Sequence, residues 1–213
     1  MALRRLFLSV FVLIALAAPA NATITITFYA HKLATHGGWL DFPHAYVTLT
    51  GTTEAAGTPV NTNFGFTAKE LGFGILFGWV DGTVASADAS YLAVDKPVFA
   101  FPISDAQYDQ VLAVADQWRK FPQPSYEMDK HNCMTFVNVV AETLGLAVVD
   151  DRKFGHDPVL FLDDMRTRNT TFLARADATA PPGTPQPAPQ ATAQRTPEGA
   201  AEQPVQPLAS ALH

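Results

Sequence analysis

The sequence predicts an α+β domain in which an antiparallel β-sheet packs on helices. Two-residue alternation of apolar and polar side chains is concentrated between Thr23 and Ile103. Helical spacing and capping signals begin only at Ser104. Strands first and helices afterwards is the pattern of a segregated α+β fold. The composition suits it: 48% of the residues are apolar and 16% charged, and 15 Phe, 5 Tyr and 3 Trp supply a core.

Each element has its own signal. Thr23 to Tyr29 alternates strictly, with Ile24, Ile26 and Phe28 on one face. His31 to Pro43, carrying Gly37 and Gly38, predicts a loop. In the strand His44 to Thr50, Ala45, Val47 and Leu49 share one side, while His44, Tyr46 and Thr48 share the other. A third strand over Val60 to Thr67 sets Asn61, Asn63 and Gly65 against Phe64 and Phe66. The Gly-punctuated segment from Gly72 leads to an expected strand near Phe77 to Ala85, and Val98 to Ile103 gives another. Ser104 and Gln107 form a capping box for a helix from Asp105 to about Lys120. A second helix is expected from about Asn132 to Leu144, closed by Gly145. Asp157 followed by Pro158 starts a short helix to about Arg168.

The two ends read differently. Arg4 and Arg5, the apolar run Leu6 to Ala18 and Ala20-Asn21-Ala22 fit an export signal over residues 1–22, with the mature chain starting at Thr23. From Ala176 to His213 the chain has 38 residues, 8 Pro, 10 Ala and no aromatic, the composition of a disordered tail. The folded domain is thus expected over 23–175 of a secreted or periplasmic protein, with no transmembrane segment after cleavage. A formal charge of −6 argues against nucleic acid as a partner.

The chemistry-bearing stretch runs from Tyr126 to Val140. The chain's one cysteine, Cys133, falls in the first turn of the second helix, where unpaired N–H groups and the helix dipole favour a thiolate. Cys133, Phe136, Val137, Val140 and Leu144 share a face, so the thiol is expected to point toward the sheet. Either it is a buried structural cysteine or it is a nucleophile. The pattern Asn132-Cys133-x-x-Phe136-Val137 opening a helix, with a strand-initial histidine far upstream, resembles the circularly permuted papain-like fold. NlpC-type cysteine peptidases and the lecithin retinol acyltransferase family share that fold, and the similarity spans roughly Phe42 to Leu146.

The resemblance implies Cys133 as nucleophile, His44 as base and an orienting polar group on the following strand, for which Asn63 is the candidate and Asn61 the competitor. The acyltransferase branch commonly uses a second histidine at that place, and no histidine stands there. Asn132 suits two roles, helix N-cap or oxyanion donor beside the Cys133 N–H. Trp39, Phe42 and Tyr46 surround His44 in sequence and can line an apolar cleft or the core. His131 is expected in a loop flanking the site, His31 and His36 in a solvated loop, and His156 near a cap. No cofactor is expected: His44, His131 and Cys133 lack the usual zinc spacings. The expected function is an exported cysteine hydrolase acting on a peptide or acyl substrate, with peptidoglycan peptides suggested by family analogy alone. The alternatives are acyl transfer, thioester or ester hydrolysis through the same acyl-cysteine, or a binding domain that retains the fold.

Overall fold

The structure, a computed structural model, describes residues 23–32, 34–36, 39–70, 72–87, 92, 95 and 97–179. Its elements are β1 (Ile24–His31), β2 (Ala34–His36), β3 (Trp39–Asp41), β4 (His44–Thr52), β5 (Pro59–Ala68), β6 (Gly82–Ala85) and β7 (Pro97–Ile103), then α1 (Asp105–Arg119), α2 (Cys133–Thr143), α3 (Pro158–Arg168) and α4 (Thr170–Thr179). Five strands form one antiparallel sheet in the order β6-β5-β4-β1-β7, packed against helices. The fold is therefore α+β.

Alternation in the sequence decides which face is covered. Ile24, Ile26 and Phe28 of β1, Ala45, Val47 and Leu49 of β4, and Phe64 and Phe66 of β5 project into one core. Helix α2 packs on β4 and β5, and α3 packs on β1 and β7. The capping box at Ser104 forms in both directions: Gln107 N donates to Ser104 Oγ at 3.3 Å, and Ser104 N donates to Gln107 Oε1 at 3.0 Å. Asp105 does more than suit the helix dipole. Its carboxylate accepts from Glu54 N and Ala55 N, both at 2.9 Å, and so ties the β4–β5 turn to the start of α1. Gly145, at φ +86°, follows α2 as the turn chemistry requires.

Four expectations are corrected. β1 extends to His31 because it pairs cross-strand with β4 as far as His31↔His44. Within the expected loop, β2 and β3 form a short antiparallel ribbon. The strand expected near Phe77 to Ala85 is shorter, β6 over Gly82–Ala85, and the expected loop before it contains a 3-10 turn, Phe73–Phe77. The last helix also runs past Arg175, to Thr179. Asn169 separates α3 from α4, and α4 docks Phe172 edge-on against Phe101, with ring centroids 5.3 Å apart. The expected leader over 1–22, and the tail from 180 onward, lie outside the described residues. Among the described residues no helix is long and apolar enough to cross a membrane.

Candidate active site

The helical side of the site is built by Asn132. Its Oδ1 accepts from Met134 N at 2.8 Å and Thr135 N at 3.1 Å, while its Nδ2 donates to the Met128 carbonyl at 2.7 Å. All three bonds fix the start of α2, so Asn132 is the N-cap, with Oδ1 accepting twice and one Nδ2 hydrogen engaged. Cys133 follows, 6% exposed and facing the sheet. The backbone N–H groups of Ala45, Met134 and Cys133 itself turn toward the sulfur and favour a thiolate. Burial outweighs them and pushes the thiol up to about 11. The helix N-terminus is present as the sequence implies, but desolvation wins and the thiol is protonated at neutral pH.

The strand side is built by β4. Ala45, whose amide meets the sulfur, directly follows His44. The His44 ring leans over β5 where Gly65 stands, and a Cβ on Gly65 would lie 2.5 Å from His44 Nε2. His31, opposite on β1, lies with its ring centroid 6.2 Å from that of His44. Both nitrogens of His31 face acceptors: Nδ1 is 3.1 Å from Asp95 Oδ2, and Nε2 is 2.8 Å from the Phe42 carbonyl. A carbonyl oxygen only accepts, and so does a carboxylate, so a protonated ring serves both acceptors with one N–H each. Tyr46, stacked on Tyr29 at 5.2 Å, adds a third contact by donating to Asp95 Oδ2 at 2.8 Å. Burial raises the Asp95 carboxyl, but the hydrogen bonds from His31 and Tyr46 and the His31 charge bring it below the ordinary range. Burial first, and the His31 charge second, push His44 down to about 4 against the opposing pull of Asp95.

His44 and Cys133 wall the same cavity, of about 330 Å³. Tyr46, Phe42, Asn63 and Asn132 also border it, whereas His131 and Asn61 do not. Among the described residues no hydrogen bond joins the Cys133 sulfur to the His44 ring. Asn63 sits opposite Thr48, four residues along β4 from His44, and its amide is engaged by Ala87: Nδ2 donates to the Ala87 carbonyl at 3.1 Å, and Oδ1 accepts from Ala87 N at 2.6 Å. Asn61 is exposed and pairs with Thr50, roughly 20 Å along the strand from His44. His131 stacks on Trp118 with centroids 4.2 Å apart, inside an aromatic cluster with Phe66 and Phe121. His156 bonds Asp129 Oδ1 at 2.9 Å and borders the cavity. The side chains of His36 and Trp39 lie outside the described residues.

Sequence reasoning missed His31, Asp95 and Tyr126. Asp95 carries no local signal, because its partners lie 49 and 64 residues away. Tyr126 lines the same cavity as Cys133, and burial above all raises its phenol, so its hydroxyl stays a neutral donor. Gly65 was legible as a residue on the face shared with Asn63, though not as the floor beneath His44. No family model, curated protein or solved structure matches this chain.

Proposed function

We propose that this protein is an exported cysteine hydrolase of permuted papain-like topology, with Cys133 as nucleophile and His44 as base. One observation carries the reading: the N-terminus of α2 and the head of β4 bring Cys133 and His44 into the wall of one cavity, with the Ala45 amide on the sulfur. Both side chains are uncharged at neutral pH, so a thiolate–imidazolium pair is not formed at rest. The thiol proton passes to His44 as sulfur attacks the carbonyl carbon, and the protonated ring then gives that proton to the leaving amine or alkoxide. Water, deprotonated by His44, releases the acid and regenerates the thiol. The Cys133 N–H and the Tyr126 hydroxyl are the donors proposed for the developing oxyanion, since Met134 N and Thr135 N are held by Asn132 Oδ1.

The bond broken is an amide or an acyl ester. Cell-wall peptides are the amide substrate suggested by analogy. Two observations favour the acyl alternative: Phe42, Ile75, Met128, Met134 and Pro158 give the cavity an apolar wall, and a second histidine, His31, stands on a strand beside His44. The test is turnover of muropeptides and of acyl esters by Cys133→Ala, His44→Ala and the double variant. Each single substitution should abolish turnover, and the double variant should be no worse, since the two residues act as one unit. Full activity in Cys133→Ala rules out this chemistry, and the absence of wild-type turnover on either substrate class leaves the binding-domain alternative standing.

A further inference from the structure

From Leu71 to Val80 the chain has no polar side chain. The 3-10 turn Phe73–Phe77 sends Ile75 inward, into the wall of the cavity, and turns the rest outward. Phe73 and Phe77 are 84% exposed, Leu76 57% and Trp79 50%. Four large apolar side chains within seven residues form a patch of the kind that marks an interaction site. The turn is closed at its base, where Lys69 N donates to Asp81 O at 2.8 Å and Lys69 Nζ meets Asp81 Oδ2 at 3.4 Å. Its far limb is pinned by Val80 N donating to Tyr126 O at 2.9 Å. The apolar side chains are thus presented on an anchored projection.

We propose that the Phe73–Trp79 turn docks on a zwitterionic lipid surface at headgroup depth. Its size argues against a second copy of the chain as the occupant. At these exposures the four side chains offer roughly 500 to 600 Å², below the roughly 800 Å² per partner of a stable protein interface. Phe73 and Phe77 stand out almost fully exposed, which suits a surface that deforms around them rather than a matching pocket. The charge selects the lipid: the basal Lys69–Asp81 pair is neutral and Glu70 adds a negative charge, so the turn offers no basic cluster for anionic headgroups. The depth is set by the backbone, since a five-residue 3-10 turn leaves terminal N–H and C=O groups that need water. An aromatic-tipped turn with Trp79 near its end suits the interfacial layer. Because Ile75 belongs to the same turn, the docked surface lies beside the cavity.

The test uses the exported chain with vesicles of phosphatidylcholine brominated on its acyl chains. Wild-type tryptophan fluorescence should be quenched, and Trp79→Phe, which keeps Trp39 and Trp118, should lose that quenching. Phe73→Ser/Phe77→Ser should lower vesicle partitioning at least tenfold with an unchanged thermal melt, and 0.5 M NaCl should have little effect on the wild type. Cys133→Ala should bind like wild type, because docking is independent of the proposed chemistry. Absence of quenching, equal quenching in Trp79→Phe, or binding abolished by salt overturns the proposal. Self-association without quenching overturns it too, and gives the patch to a second copy.

Discussion

Around Cys133 and His44, burial decides protonation more than local charge does. The start of α2 and the Ala45 amide favour the thiolate, yet desolvation keeps the thiol up at about 11. His44 is held down at about 4 by burial first and by the His31 ring beside it second. Labelling needs thiolate, and its fraction rises tenfold per pH unit below the pKa. Alkylation of Cys133 should therefore be about a hundredfold slower than that of an ordinary thiol of pKa about 9 at neutral pH. It should climb steadily beyond pH 9, as iodoacetamide kinetics from pH 6 to 11 would reveal. Fast labelling near pH 7 would mean that the thiolate is stabilised by a contact beyond these amides. The sequence made Asn132 and the helix start legible because both signals are local. It showed the helix dipole but not the burial that opposes it, because that burial comes from strands far away in sequence. It also gave no hint of the His31–Asp95–Tyr46 network, whose members meet only in three dimensions.

At the scale of elements, alternation carried β1, β4, β5 and β7, and capping chemistry carried α1, α2 and the start of α3. Short or weakly patterned pieces did not show. β6 has four residues, β2 and β3 three each, and α4 follows Asn169 with a pair of β-branched threonines. The orienting role expected of Asn63 illustrates the limit. Alternation placed it on the face of β5 away from the core, but only the register sets it opposite Thr48 and makes Gly65 the floor under His44. Gly65→Ala is the sharpest probe of that arrangement. The added Cβ would sit 2.5 Å from His44 Nε2 and 3.0 Å from Tyr46 Cβ, so the imidazole must move. Turnover should fall about a hundredfold, as for an ångström-scale misplacement of a catalytic group. The overpacking should cost about 1 to 3 kcal/mol of stability, read from a denaturant titration. Unchanged turnover with a folded protein would show that the His44 position over Gly65 is not the working one.

For the whole molecule, the boundary of the folded unit follows from where apolar side chains still find partners. Composition places the start of the tail at Ala176, since the run to His213 is rich in Pro and Ala. The structure carries the last helix to Thr179, because Phe172, Leu173 and Ala176 recur at helical spacing and pack against the core through β7. That spacing is visible in the sequence, but three apolar residues beside a Pro-rich run are a weak signal next to an asparagine break. Two truncations separate the readings. Removing 180–213 deletes 8 prolines and no aromatic residue, and should leave the melting temperature unchanged within a degree. Removing 176–213 also takes the last turn of α4 and the Ala176 contact, which leaves Phe172 and Leu173 on a helix too short to hold itself. That cut should cost about 1 kcal/mol, a fall of roughly 2 to 4 °C for a domain of this size, measured by circular dichroism or calorimetry. Identical melting of the two truncated chains would place the end of the cooperative unit at or before Arg175, whereas a large loss on removing 180–213 alone would mean that the Pro-rich segment packs on the domain.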